Sequence, residues 1–543
     1  MLALLTLLLA LPGLASIPVI DRDEARFAQS SVQMVESGDW VEIRLGDEAR
    51  NKKPVGAYWA QAGSILATGG LRDRPGQTLW AQRLPSVVAA LLAVWLTYLA
   101  ALPMIGRRGA LLAGAMLASA LIVINEAHTA KTDALLLATT TAMFAALARL
   151  RANRARGMAW LFWGALGLSV LIKGPVGPAV AGLSVLGLIV WERRARWAHP
   201  LLNPLAMALA LLVTAPWLVA IGLATDGQFF ADSLGGDFGG KLGEAAENHG
   251  GPPGYYAAFI WITLWPACLF LLPGLLFAWQ AARRGGDSLP ARGMRLCAAW
   301  VVPFWLVLEI APTKLPHYTL PLLPGLVIAM SGAALAVAGG GAYPRSRSAS
   351  AVLFVIASAA VLGVVSVVQV AVGRPSLDVL AFGVAGAAGV AALAAAWFAT
   401  RGRVRTAVVA AALAALPISL LSYGVLIPGV DAARVSQRIA KRAPTPILSP
   451  DYDEPSLRYY AGTRGVRGGT DAQWTQWDSW RTGTLVLDRE PRGDGVNSTL
   501  AEVMARAKAD GVCLSGAGTV DGVNYSRGER VDMLLLRQVP CAD

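Results

Sequence analysis

The sequence predicts a polytopic α-helical membrane protein with a small α/β domain at its C-terminal end, and three observations predict it. Of 543 residues, 55% are hydrophobic and 15% charged, with a mean hydropathy of +0.51, too apolar for a soluble chain of this length. Many stretches of about twenty residues carry no charged side chain, long enough to cross a hydrocarbon core, and they lack strand alternation, so the spans are helices. Arg and Lys gather in alternate loops, as topology requires.

About thirteen spans follow from the ~20-residue apolar runs, centred near Leu11, Leu92, Ser119, Ala142, Leu166, Leu186, Leu212, Ala267, Phe304, Ile328, Ala360, Gly389 and Leu416. The first run, MLALLTLLLALPGLAS, also resembles a signal peptide ending in small residues, without a basic start. The charged cluster directly after it favours a retained helix, because those side chains need an anchor at the membrane surface. One set of loops holds Arg107 and Arg108, Arg149 to Arg156, Arg193 to Arg196, Arg283 to Arg295, Arg345 and Arg347, and Arg401 to Arg405. Loops between them carry about one basic residue each: Lys131, Lys173, Lys241, Lys314 and Arg374. By the positive-inside rule the Arg-rich set is cytoplasmic. The N-terminus is then inside, and loops 21–82 and 224–254 and the tail are outside. Reporter fusions after Arg283 and after Asp451 should therefore report opposite sides, and matching sides would refute the span count.

The chain divides, on this reading, into a membrane domain over residues 1–428 and a tail domain over 429–543. In the tail, PTPILSPDYD, TGTLVLDRE and VDMLLLRQV read as strands, and EPSLRYYAG and STLAEVMARAKADG as helices. The tail is long enough for a small domain and carries no nucleotide-binding glycine fingerprint. Four cysteines without metal-like spacing give no zinc signal. Cys513 and Cys541 can pair if the tail faces an oxidising compartment. The net charge of +12 is explained by the short loops and does not indicate nucleic acid.

The suggestive polar residues fall on the outer side. They are Asp21, Asp23, Glu24, Arg26, Asp39, Lys52 and Lys53; then Glu126, His128, Lys131 and Asp133; then Lys173; then Asp237, Lys241, His249, Tyr255 and Tyr256; then Lys314 and His317. A carboxylate can take a proton from an attacking hydroxyl, and lysines can stabilise the growing charge of a phosphate leaving group. Each residue alone has an ordinary explanation. Asp and Glu cap helices, Lys and Arg snorkel, KGPVGP and PLLPG break helices, and histidines form structural hydrogen bonds. Convergence from five separate loops on one face favours a site.

The stretch DEARFAQSSVQMVESGDWVEIRLGDEARNKKPVGAYW resembles the first outer loop of the GT-C glycosyltransferases, above all the ArnT-like family of aminoarabinose transferases that modify lipid A, with protein O-mannosyltransferases as more distant relatives. The family pattern D-E-x-R-[YF]-A, S-G-D-W, E-K-P-P-x-x-Y-W is matched at Asp23, Glu24, Arg26, Phe27 and Ala28; at Ser37, Gly38, Asp39 and Trp40; and at Lys53, Pro54, Tyr58 and Trp59. KTDALL around Asp133, LIKGPVGP, HGGPPGYY and TKLPHYTLPLLPG extend the resemblance to about Pro428. It implies the GT-C fold, a bacterial inner membrane and an active site on the periplasmic side. It also implies transfer of a sugar, with inversion, from a polyprenyl-phosphate donor to a glycolipid acceptor such as lipid A or lipopolysaccharide. Asp23 would be the catalytic base. Glu24, Arg26, Lys53, Tyr58, Asp133, Lys173, Lys241, His249 and Lys314 would bind substrate, with Lys53 and Lys241 or His249 on the phosphate. Lys52 stands where the family usually has a Glu that can help bind a metal ion, so a divalent metal has no assigned ligand. Lys241 stands near a position where relatives often carry Arg. The tail, which carries none of these motifs, is expected to be accessory.

Two other functions are open at this point. A protein O-glycosyltransferase shares the chemistry with a different acceptor. A lipid or sugar transporter would use intramembrane charge as a pathway, but the first-loop pattern has no second copy, whereas transporters commonly repeat.

Overall fold

The computed structural model of the chain describes residues 1–69, 78–153, 155, 157–239, 250–341, 343–372, 375–450, 452, 454–463, 465–467, 474–489, 500–525 and 528–541. They form two compact units assembled from alternating segments.

The first unit comprises Met1–Leu14, Asn51–Ala57 and Arg83–Leu426 and is helical. Among the described residues, eight helices are long and apolar enough to cross a membrane: Leu79–Ala118, Asp133–Ala152, Pro204–Ala224, Leu289–Ile310, Pro316–Ala338, Pro344–Val370, Asp378–Thr400 and Val404–Gly429. A ninth arises if Tyr255–Thr263 and Ala267–Arg284, bent by 117° at a break that contains Pro266, count as one. Met158–Lys173 and Val176–Glu192 are apolar but shorter. The expected count of about thirteen, drawn from apolar runs, therefore exceeds the number of long helices. Four expected spans have no long helix: those near Leu166 and Leu186 fall on the two shorter helices, and two more fall near Leu11 and Ser119. Leu2–Ala10 has only 9 residues, about 14 Å at ~1.5 Å per residue, against a core of ~30 Å. Ser119 falls in the break between Ala118 and Leu121, and the run before it bends at Gly106.

The second unit comprises Ala15–Arg50, Tyr58–Gln82 and Ile427–Asp543. Its first helix, Arg22–Ser37, starts at Asp21, whose side chain accepts the Glu24 N–H at 2.9 Å, and this satisfies a donor that a helix leaves unpaired. It stops at Gly38, whose left-handed φ of 72° returns its N–H to Met34. Asp39 then accepts the N–H groups of Val41 and Glu42 at 2.9 and 3.0 Å, turning the chain into a short hairpin of β1 (Arg44–Leu45) and β2 (Glu48–Ala49). The helix buries Ala25, Ala28 and Val32 with Val19, Ile65, Leu79 and Tyr459. Residues far apart in sequence thus share one core.

Five tail strands, β3 (Ile447–Leu448), β4 (Val466–Arg467), β5 (Thr484–Asp488), β6 (Cys513–Asn524) and β7 (Glu529–Val539), form a sheet in the order β4-β3-β5-β7-β6. β3 is parallel to β4 and β5, and β7 is antiparallel to β5 and β6. Successive side chains alternate between faces. Val486, Met533 and Leu535 pack with Val435 and Ile439 of the helix Val435–Arg442. Leu485, Leu487 and Leu536 pack with Trp480 and with Val503 of the helix Leu500–Ala509. The three strands and two helices expected in the tail are present, with β4 and β6 in addition. Cys513 and Cys541 are bonded to each other.

Candidate active site

In the first unit a cavity of about 210 Å³ is lined by the polar side chains of Lys52, Lys53, Asp133, Lys173, Ser233, Thr313, His317 and Tyr318. Apolar side chains, including Ala179, Leu183, Phe304 and Val307, line it as well. Helix direction explains the grouping. Asp133 begins Asp133–Asn153, Lys173 ends Met158–Lys173, and Val176 begins the helix after it. At the far end of Val176–Glu192, Glu192 accepts from Arg151, at the far end of Asp133–Asn153, at 2.6 and 3.1 Å and from Arg295 of the helix Leu289–Ile310 at 3.4 Å. Two-pronged guanidinium pairing of this kind fixes geometry as well as charge. The cavity lies at the ends away from the arginines.

Each polar side chain is held by local structure. Lys173 donates to Asp133 Oδ1 at 2.5 Å, and His317 Nε2 lies 3.9 Å from the same oxygen. The Lys173 ammonium also stands 5.5 Å from the Tyr318 ring centre. The turn after Lys173 needs Gly174, whose φ of 58° and ψ of −127° exclude ordinary side chains. Lys52 and Lys53 sit in a segment fixed at two points. Asn51 donates to Asp232 at 3.0 Å, and Gly56 lies against the backbone of Leu171. A Cβ added at Gly56 would stand 2.7 Å from the Leu171 carbonyl oxygen, so only glycine permits this approach. Gly56→Val is expected to cost about 1–3 kcal/mol through overpacking, read as a lower Tm in detergent. Gly63→Ala, which meets open space, should not lower it.

The motifs HGGPPGYY and TKLPHYTLPLLPG come together. Gly250 pairs with Thr313, the Gly254 N–H donates to Glu309 at 2.8 Å, and the Leu315 N–H donates to Tyr256 Oη at 3.4 Å. Lys314 does not line the cavity. Its ammonium donates to the carbonyls of Leu308 and Glu309 at 2.7 and 2.6 Å, capping a helix C-terminus where a cation is favoured. Burial pushes its pKa below the ordinary lysine value. Lys241 and His249 lie outside the described residues.

In the second unit, Asp23 occupies the first turn of Arg22–Ser37. Its side chain is 61% exposed, with Arg26 at 3.3 Å and Arg50 at 4.0 Å. Arg50, not anticipated from the sequence, is buried, donates to Tyr58 Oη at 3.1 Å and lies over the Phe27 ring. Tyr58 is fully buried and stacked on Phe27 at 4.7 Å, so it supports Arg50. Glu24 is also fully buried. No signal in the sequence distinguishes Arg50 from the exposed arginines around it. Lys52 and His317 line the cavity although neither was among the residues assigned to substrate.

Among the described residues no three of His, Cys, Asp and Glu stand together as a ligand set, and the cavity lining carries three lysines beside one carboxylate.

Known proteins resemble the chain in sequence and in fold. A sequence model of the family described as dolichyl-phosphate-mannose-protein mannosyltransferase matches residues 52–219. The undecaprenyl phosphate-α-4-amino-4-deoxy-L-arabinose arabinosyl transferase of Pectobacterium carotovorum subsp. carotovorum is 32% identical over 314 residues, covering 57% of this chain and 54% of that protein. Its counterpart in Erwinia tasmaniensis is 29% identical over 336 residues, covering 60% and 57%. The chain thus spans about half the length of the curated relatives it matches. The crystal structure of ArnT from Cupriavidus metallidurans bound to undecaprenyl phosphate superposes with a TM-score of 0.73 at 20% identity, covering 98% of this chain and 96% of that one. The chain has the fold of that structure.

Proposed function

We propose that this chain, ArnT-like in fold, is a membrane glycosyltransferase that moves a sugar from a polyprenyl-phosphate carrier to a lipid acceptor, with lipid A or another part of lipopolysaccharide as the acceptor class. The observation that carries the reading is a cavity lined both by three lysines and by apolar side chains of the helices. A lipid phosphate combines the charge and the apolar chain that such a lining suits. The sequence relatives, arabinosyl transferases that use undecaprenyl phosphate-linked sugar by name, agree with it.

In the proposed reaction the acceptor hydroxyl oxygen bonds to the anomeric carbon while the bond from that carbon to the phosphate oxygen breaks. The electron pair leaves with the phosphate, and the hydroxyl proton passes to Asp23. Attack opposite the leaving group inverts the centre. Lys53 and Lys173 hold the phosphate and stabilise the charge it gains. The sugar arrives already activated on its carrier, so no nucleotide sugar takes part. The Cys513–Cys541 bond and the arginine bias of the opposite loops support a tail and active site on the oxidising, periplasmic face of a bacterial inner membrane.

The match to a protein mannosyltransferase family over residues 52–219 favours a second acceptor class, a protein hydroxyl. Purified protein incubated with defined polyprenyl-phosphate sugars and with lipid A, core oligosaccharide or peptide acceptors separates the two. Sugar on lipid is expected. Sugar on peptide alone would replace the acceptor. Neither transfer nor donor cleavage with any pair would overturn the reading.

A further inference from the structure

We infer that Glu454, in the C-terminal segment, is a positioning residue for Asp23; the inference rests on the reading of Asp23 as the base. The Glu454 side chain is 3% exposed. Taking a carboxylate out of water costs several kcal/mol unless partners compensate. Two of its partners are in place. Asn524, itself buried, donates Nδ2 to Oε1 at 3.0 Å, and Arg22 Nε lies 3.5 Å from Oε2. Arg22 is the first residue of the helix whose second residue is Asp23.

The Asp23 side chain is largely exposed and meets Arg26 and Arg50. The turn is held by its neighbours: Asp21 caps it from within the loop, and Glu454 reaches it from the far end of the sequence. Glu454 directly precedes the helix Pro455–Ala461. That helix packs Tyr459 against Ala25, Ala28 and Val32 and gives Tyr460 Oη to the Val19 N–H at 2.9 Å. Beyond it, Thr463 meets Gln29 at 2.8 Å and Glu36 at 2.5 Å. The register between the two helices is therefore pinned twice, at the turn bearing Asp23 by Glu454 and farther along by Thr463. The tail supplies no reacting group on this view, yet it sets where the base stands.

The test compares four variants of the full-length protein in the transfer assay. Small misplacements of a reacting group cost up to about a hundredfold in rate. Glu454→Ala is expected to lower kcat by on the order of tenfold or more while donor KM stays unchanged. Glu454→Gln keeps an oxygen to accept from Asn524 and should recover most of the rate. Thr463→Ala should lower Tm but leave kcat near that of the parent. If Glu454→Ala fails to fold, Asn524→Ala, which removes one support, should show the same loss confined to kcat. Parent-level kcat in Glu454→Ala, or in Asn524→Ala where that variant stands in, overturns the inference. So does equal inactivity of the Ala and Gln variants, which would make the Glu454 charge itself the active feature. A kcat loss in Thr463→Ala matching that of Glu454→Ala would reduce the effect to general docking and also overturn it. The fourth variant, Asp23→Asn, separates the two levels. Activity there defeats the reading of the base, whereas inactivity there with a fully active Glu454→Ala defeats only the present inference.

Discussion

Asp23→Asn is expected to leave a folded protein that binds donor and transfers almost no sugar. An amide has the shape of the carboxylate but cannot take a proton at neutral pH, and loss of general-base help alone is worth roughly a hundredfold or more. Folding should survive, because the side chain is mostly exposed and its partners include the guanidinium groups of Arg26 and Arg50. Lys53→Ala should behave differently, raising donor KM as well as lowering kcat, since a cation facing the phosphate acts in ground state and transition state alike. Asp21→Asn is the control. Asp21 caps the helix, and Asn caps about as well as Asp, so transfer should be nearly unchanged. Single-turnover transfer with purified variants checks all three. Full activity in Asp23→Asn with loss in Asp21→Asn would move the base to Asp21.

The second large effect concerns the Asp133–Lys173 pair. Both side chains are mostly buried, at 7% and 13% exposure. Removing one partner of such a pair leaves an uncompensated charge and costs about 3–5 kcal/mol. Lys173→Ala should therefore lower Tm and weaken binding of undecaprenyl phosphate together. The double variant Asp133→Asn with Lys173→Gln removes both charges, so stability should largely return while phosphate affinity does not. Thermal melting in detergent with and without undecaprenyl phosphate reads both quantities. Unchanged affinity in Lys173→Ala would remove Lys173 from the phosphate site.

Local chemistry was legible in the sequence, and long-range chemistry was not. Asp21 followed by Asp23 and Glu24, with Gly38 closing the run, carries its own start and stop signals, and the helix Arg22–Ser37 follows them. Lys173 before Gly-Pro marks a helix end in the same way. β6 was missed because Gly516, Gly518 and Gly522 interrupt its pattern, and among the described residues it sits at the sheet edge, paired with β7. The span expected at Ser119 rested on apolar content, which cannot see a break inside the run. Lys314 carries a family motif, but the carbonyls it caps are fixed by where a neighbouring helix ends. Arg50 draws its importance from Phe27 and Tyr58, and Glu454 from Arg22. No periodicity reports contacts between residues hundreds of positions apart.

The chain passes back and forth between its two compact units, and the unit containing Arg22–Ser37 is completed only by Ile427–Asp543. This bears on inheritance. A tail joined on by recombination near residue 427 would arrive without the loop that its Tyr459 and Thr463 meet. The two distant stretches therefore behave as a single heritable part, and a chimaera that respects the fold must exchange residues 15–50 and 58–82 along with the tail.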